Sequence, residues 1–313
     1  MIVELSMHVA ICALTFHRPE GLSSLLAALN LLRVPESVTV SIVVVDNDEL
    51  GSGEAIVESA GASLAFPLTY VIEARRGIAQ ARNAAVAAAI SGDADLVAFI
   101  DDDEVPDADW LTGLLEVQAS TGADVVTGPV IPVFNEEPPD WVEQGKFYDR
   151  PRFPTGTRLT YARTSNVLIA ARLLRDPWPP FDERYATTGG EDTHFFMRVR
   201  LNGAHIAWAD DAVVRELVPP SRISVGWLVR RAYSRGNTLS LCLLDLQDSW
   251  PRRAKRVAAA AVEVGGGVAL LATGPFRGKA VRVAALQKLA YGAGLASGLV
   301  GSTYQEYAQT HGR

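Results

Sequence analysis

Five apolar residues, Leu96 to Ile100, run straight into three aspartates, Asp101, Asp102 and Asp103. The apolar run reads as a strand buried on both faces, the pattern of a parallel sheet covered by helices on either side. Three carboxylates cannot share such a core at neutral pH unless a cation or water offsets their repulsion. The triplet is therefore expected at the carboxyl end of the strand, where open α/β sheets place their ligands. Acidic oxygens there favour a hard divalent cation, Mg²⁺ or Mn²⁺, which usually arrives with substrate phosphates. A solvated acidic turn without a ligand is the competing reading.

The chain around this junction alternates. His8–Thr15, Val38–Val45, Leu68–Ile72 and Asp124–Gly128 read as strands, while Gly51–Ala60, the Ala-rich Gly77–Ile90 and Asp109–Ser120 read as helices. Leu22, Leu25, Leu26 and Leu29 add a helix with one apolar stripe. Such alternation predicts βαβ units around a largely parallel sheet. Residues 132–163, rich in Pro, aromatic and charged residues, are expected to be an irregular substrate-facing segment. Order returns with a strand at Ser165–Ile169 and a helix at Glu191–Leu201.

The 313 residues, 48% of them hydrophobic, are enough for one large domain or two. A net charge of −7 argues against general nucleic-acid binding. Charge is uneven, however: from Arg215 to Arg256 nine Arg or Lys face three acids, which suggests an anionic surface or substrate near that end. Beyond it, 257–273 and 280–301 are dominated by Ala, Val, Leu and Gly, each interrupted and each preceded by basic residues. Neither is an uninterrupted apolar span of about 20 residues, the length a transmembrane helix needs. They suit an interfacial hairpin on an anionic membrane, with a soluble hairpin or dimer contact as the alternative. Cys12 and Cys242 match no metal or redox spacing, and no secretory signal is read at the N-terminus, where Met7 is an alternative start. The catalytic part is expected in the cytoplasm, peripheral at the inner face of the plasma membrane.

Further chemistry gathers at strand ends. Leu14-Thr15-Phe16-His17-Arg18 and Val45-Asp46-Asn47-Asp48 close the first two strands, on the edge that a doubly wound sheet shares with Asp101. Thr15 and Asp46 can hydrogen-bond a base or ribose there and Phe16 can stack on a ring, although strands also commonly end in Asn or Asp turns. Arg75-Arg76-Gly77 opens the helix carrying Arg82-Asn83, either a phosphate or base contact or a solvated cap. In Gly189-Gly190-Glu191-Asp192-Thr193-His194 two glycines precede an acid pair in the first helical turn. Neighbouring helical residues face different ways, so one acid can serve as general base while the other anchors the loop; a capping pair is the alternative.

Taken in order, LTFHRPE, VVVDND, GIAQARNAA, FIDDD, the GG-ED-THFF segment and VRELVPPSR followed by RRAYSRG resemble family 2 glycosyltransferases of the GT-A fold. The VDND end and the E-x-VPPSR tail are similar to bacterial exopolysaccharide glycosyltransferases of the succinoglycan type. The likeness covers roughly 8–240. It implies an α/β GT-A fold, Rossmann-like, with a mostly parallel central sheet flanked by helices and a C-terminal helical extension. It also implies a catalytic domain over 1–220, with a nucleotide-sugar half to about 128 and an acceptor half from about 129, then a basic helical region over 221–313.

By the same resemblance, Thr15, Phe16, Asp46, Arg76, Asp101 and Asp102 hold the donor, a UDP-sugar being favoured. Asp103 and Asp101 form the D-x-D metal pair for Mn²⁺ or Mg²⁺, and Asp192 is the catalytic base with Glu191 beside it. Many relatives carry a histidine metal ligand late in the domain where this chain has Glu216, a carboxylate able to bind the ion or to address the acceptor. His194 is not at that position and reads as a cap or packing residue. Trp141, Asn166 and Trp178 are acceptor-side candidates, with Trp227 a further aromatic face for a sugar ring, and the acceptor is a glycan, lipid-linked or small molecule. Rival classes are a nucleotidyltransferase, which usually has a Gly-rich basic loop after its first strand; a diguanylate cyclase, whose GGDEF order differs; and a non-catalytic sugar- or lipid-binding module.

Overall fold

The structure, a computed structural model, describes residues 6–305, with the backbone alone at 274–276. β1 (Met7–Thr15) leads to α1 (Pro19–Leu29), β2 (Val38–Asp46) to α2 (Glu54–Gly61), and β3 (Leu68–Ile72) to α3 (Ile78–Ser91). β4 (Leu96–Asp101) precedes β5 (Glu104–Pro106), α4 (Trp110–Thr121), β6 (Val125–Thr127) and β7 (Val130–Phe134). There follow α5 (Asp140–Gly145), β8 (Arg158–Leu159), β9 (Asn166–Ala170), α6 (Arg172–Arg175), α7 (Glu191–Leu201), β10 (Ile206–Trp208) and β11 (Val214–Val218). Helices α8 (Val225–Gln247) and α9 (Trp250–Leu299) come last. The chain divides into two compact units, one of residues 1–131, 150–186 and 195–216, the other of 132–149, 187–194 and 217–313.

The first unit is built on an eight-stranded sheet in the order β3-β2-β1-β4-β9-β6-β10-β8. Its first four strands are parallel, as the alternation predicts. Both faces are apolar because each strand carries two interleaved apolar sets. Val9, Ile11 and Ala13 join one core with Leu22, Leu25, Leu26 and Leu29, whereas Ala10 and Cys12 join the other with α3 and with Phe195 and Phe196 of α7. Pro19 stands in the first turn of α1, where a missing N–H costs nothing. The alanines of α3 let that helix lie close to the sheet.

β9 departs from the parallel expectation, running antiparallel to both β4 and β6. The reason is topological. After Thr127 the chain makes a long excursion that adds β8 at the end of the sheet, then returns between β4 and β6 with Val167 beside Thr127 and Asn166 beside Ile100. Asn166 anchors that return: its Nδ2 donates to the Pro129 and Ala212 carbonyls at 3.0 and 2.8 Å, and its Oδ1 accepts from Trp110 Nε1 at 2.8 Å. A smaller sheet orders β5-β11-β7, with Glu216 of β11 directly opposite Glu104 of β5.

In the second unit Trp141 and Val142 of α5 pack with Leu228, Ala280 and Val283. The segment expected to be irregular thus contains short ordered pieces, β7, α5 and β8. Helix α9 breaks at Gly278 (φ 84°), so it is two helices, matching the two apolar stretches of the sequence. The later one lies against α8, where Gly294 is needed because any Cβ would stand 2.1 Å from the Tyr233 carbonyl oxygen. The earlier one, Trp250–Thr273, is 24 residues, long and apolar enough to cross a membrane by length and composition, and mostly exposed. The one charge between Val257 and Thr273, the half-buried Glu263, pairs with Lys288 of the later helix at 2.9 Å.

Replacing Asn166 strands an indole N–H and two carbonyls away from water. Asn166→Ala is expected to lower stability by about 2–4 kcal/mol, read as an earlier urea midpoint at unchanged slope.

Candidate active site

The in-register ends of three adjacent parallel strands build the site in the first unit. Thr15 pairs with Asp46 across β1 and β2, and Leu14 with Asp101 across β1 and β4. Apolar side chains cease at the same level on each strand, so polar groups collect on one edge.

The three aspartates lie in three different environments. Asp102 is 4% exposed. Its oxygens accept from Thr15 Oγ1 and from Arg18 Nη1, both at 2.9 Å, and the same Arg18 nitrogen reaches Asp103 Oδ2 at 3.0 Å. Burial pushes the Asp102 carboxyl up to about 7, with Arg18 opposing it. Burial alone would lower the Arg18 guanidinium, but Asp102 and Asp103 together raise it, so Arg18 is a fixed counter-charge. Asp101, the last residue of β4, is driven up to about 6 by burial, with Arg82 opposing and Asp103 adding to the rise. Glu104 is buried and accepts from the Asp101 N–H at 3.0 Å. Burial, then Asp101, Asp103 and Glu216, hold its carboxyl well above the ordinary range. Glu216 also pairs with Arg150.

These are hard oxygen donors with excess negative charge, suited to Mg²⁺ or Mn²⁺. Among the described residues they do not close into a cage of three ligand atoms within 4.8 Å. That geometry fits an ion held by one or two carboxylates and completed by substrate phosphates. Asp103, half-buried beside Asp101, has the better access; Asp102 is engaged by the scaffold.

Next to the acids is a flat aromatic shelf. The Arg76 guanidinium lies 4.2 Å from the centre of the Phe16 ring, a cation–π arrangement with a face the size of a nucleobase. Asp46 is fully buried; its Oδ2 accepts from the Gly53 N–H at 2.6 Å and Tyr70 Oη at 2.8 Å, and its Oδ1 from the Asp48 N–H at 3.1 Å.

Sequence reasoning overlooked Arg18, Asn47 and Tyr70. Asn47 Nδ2 donates to the Glu73 and Arg75 carbonyls at 2.8 and 2.9 Å while its Oδ1 accepts from the Gly77 N–H at 2.8 Å, which fixes the loop carrying Arg76. An arginine at the start of a helix, where the dipole disfavours a cation, is the one signal that pointed to Arg18.

In the second unit the acid pair follows a turn with φ of 71° at Gly189 and 93° at Gly190. Helix α8 holds this turn. Any Cβ on Gly190 would meet Thr238 at 1.9 Å, and the Gly190 carbonyl accepts from the Cys242 thiol at 3.7 Å and the His194 N–H at 2.8 Å. His194 is buried, with Nε2 at 2.8 Å from Asp245 Oδ2, a packing role. Glu191 is 2% exposed, whereas Asp192 is half-buried with Oδ1 accepting from the Thr193 N–H at 2.6 Å. The two acids are thus differently disposed, one inward and one toward solvent.

Of the acceptor-side candidates, Trp178 is 54% exposed in the first unit. Asn166 is committed to the frame around Trp110. In the second unit Trp141 is buried, and Trp227 stacks on Tyr148 with ring centres 6.3 Å apart.

The Asp102 proton is held more tightly folded than unfolded, so its contribution to stability is present at low pH and is lost as pH rises from 3.8 to about 7. Over that window the urea midpoint of the wild type should fall relative to that of Asp102→Asn, which has no proton to lose; parallel pH profiles would exclude a buried, proton-holding Asp102.

The profile of the family described as Glycosyl transferase family 2 matches residues 11–177. The succinoglycan biosynthesis protein ExoM of Rhizobium meliloti (strain 1021) is 34% identical over 252 residues, spanning 78% of this chain and 79% of that protein. Among solved structures, the mannosyltransferase PcManGT from Pyrobaculum calidifontis, in complex with GDP-Man and Mn²⁺, superposes with a TM-score of 0.64 at 20% identity, covering 93% of this chain and 86% of that one. S. aureus TarS 1-349 in complex with UDP gives 0.53 at 18% identity, covering 96% and 93%. These structural likenesses carry the GT-A fold, and the family match decides for glycosyl transfer over the rival classes. The chain is a glycosyltransferase and belongs to glycosyl transferase family 2.

Proposed function

We propose that this glycosyltransferase moves a sugar from a nucleotide-diphosphate-sugar, a UDP-sugar being favoured, to a hydroxyl of a glycan or lipid-linked acceptor, with inversion at the anomeric carbon. The observation that carries the reading is the aligned edge of β1, β2 and β4, with an acid cluster beside the Phe16–Arg76 shelf. The shelf suits the base and the β2 end the ribose, which leaves the diphosphate toward the acids. The nucleotide and nucleotide-sugar in the TarS and PcManGT complexes support such a donor, and the identity to ExoM supports an acceptor in polysaccharide synthesis.

Asp103, with Asp101 and Glu216 nearby, would hold the divalent cation. When bound, the cation neutralises charge on the departing nucleoside diphosphate. Asp192 takes the proton of the attacking hydroxyl, so that the new C–O bond forms as the bond to the diphosphate breaks on the opposite face. Glu191 holds the turn in position from its buried site. Arg18 hydrogen-bonds both Asp102 and Asp103 and so fixes them relative to each other.

Two substitutions separate the roles. Asp192→Asn should lower turnover by about 10²- to 10⁴-fold while calorimetry shows donor affinity nearly unchanged; near-wild-type turnover would rule out the base. Asp103→Ala should abolish Mn²⁺-dependent donor affinity, and retention of that affinity would rule out the metal assignment. A hydrolysis assay across a panel of nucleotide-sugars identifies the donor.

A further inference from the structure

We propose that the earlier half of α9 lies in the surface of an anionic lipid bilayer, its outward arc inserted among the acyl chains and its basic ends on the headgroups. The proposal is independent of the donor reading, since none of its residues belongs to the site described above.

Three observations carry it. First, the helix is not a core helix: Trp250, Val257, Val262 and Val268 are 80%, 58%, 71% and 56% exposed. Second, from Val257 to Thr273, a length of about 25 Å at 1.5 Å per residue, the helix carries a single charge. That charge, the half-buried Glu263, is neutralised by Lys288 of the later helix. Third, both ends are basic, with Arg252, Arg253 and Lys255 before the apolar stretch and Arg277 and Arg282 after it, all exposed. Apolar middle and cationic ends match an anionic leaflet.

The width of the arc selects the occupant. Val257, Ala261, Val264, Val268 and Leu271 follow coiled-coil spacing, but a seam with a second copy is narrow and flanked by charges. Here the flanking positions 258, 262, 265, 269 and 272 are Ala, Val, Gly, Ala and Ala, so the apolar surface is too broad for one partner helix. The Glu263–Lys288 pair selects the depth. It sits midway along the stretch, and a spanning hairpin would carry it to the bilayer centre, where charge is costly. A helix lying in the interface keeps the pair away from the bilayer centre.

The test is flotation of the full chain with vesicles of phosphatidylcholine alone or with about one-third phosphatidylglycerol. Binding is expected to the anionic vesicles, weaker by about tenfold or more on neutral ones and at high salt. A triple variant, Val257→Asp, Val262→Asp and Val268→Asp, should lose vesicle binding by at least about tenfold with its circular dichroism and nucleotide affinity kept. Should that variant misfold, Arg252→Glu with Lys255→Glu tests the headgroup contact alone and should weaken anionic binding by about tenfold. Equal flotation on both vesicle types, no flotation, or wild-type flotation of the variants overturns the proposal. A variant that changes only from dimer to monomer by light scattering points to a seam between copies and overturns it. Retention in cell membranes through an alkaline carbonate wash points to a spanning helix and overturns it as well.

Discussion

Placing carboxylates at the mouth of a buried strand is the constraint on which the first unit depends. β4 must be apolar to sit inside an eight-stranded sheet, and its next residues must hold negative charge against a low-dielectric wall. The solution is internal and asymmetric. Arg18, at the start of α1, joins Asp102 to Asp103, and Thr15 takes the remaining Asp102 oxygen. One aspartate thereby becomes part of the scaffold and fixes how its neighbours are presented. The same contacts tie the ends of β1 and β4 to α1, so the electrostatics of the site and the packing of the sheet edge are one arrangement.

The second unit solves a different problem, that of holding two adjacent acids in unlike surroundings. Left-handed glycines turn the chain sharply, and helix α8 supplies a thiol, a threonine methyl and a carboxylate to grip the turn and its histidine. Residues 238–245 are thus as much a part of the acid pair's geometry as the glycines beside it. Helix α8 is a structural support for an acid pair some fifty residues earlier in the chain.

Much of this was legible in the chain. The four-leucine stripe of α1, the β-branched strands and the Asp-bearing strand ends followed from period and polarity, because burial on both faces leaves no freedom in residue type. Asn166, Arg18 and Asn47 were not legible in their actual roles. Their partners lie 26 to 85 residues distant and are set by register, which leaves no local periodic trace. The antiparallel β9 was hidden for a related reason: an apolar five-residue strand reads the same in either direction. The pairing of Glu263 with Lys288 was likewise hidden, since the two lie 25 residues apart on separate helices.

The return of the chain along β9 decides where added length is tolerated. Thr127 and Val167 are sheet neighbours, so strand pairing already closes the ends of the excursion between them, in which loops join β7, α5 and β8. Lengthening such a loop adds only a logarithmic entropy cost, about 0.6 kcal/mol for each doubling. Added length is therefore cheap in the loops of this excursion, whereas β7 and β8 are tied to the two sheets and α5 to the core of the second unit.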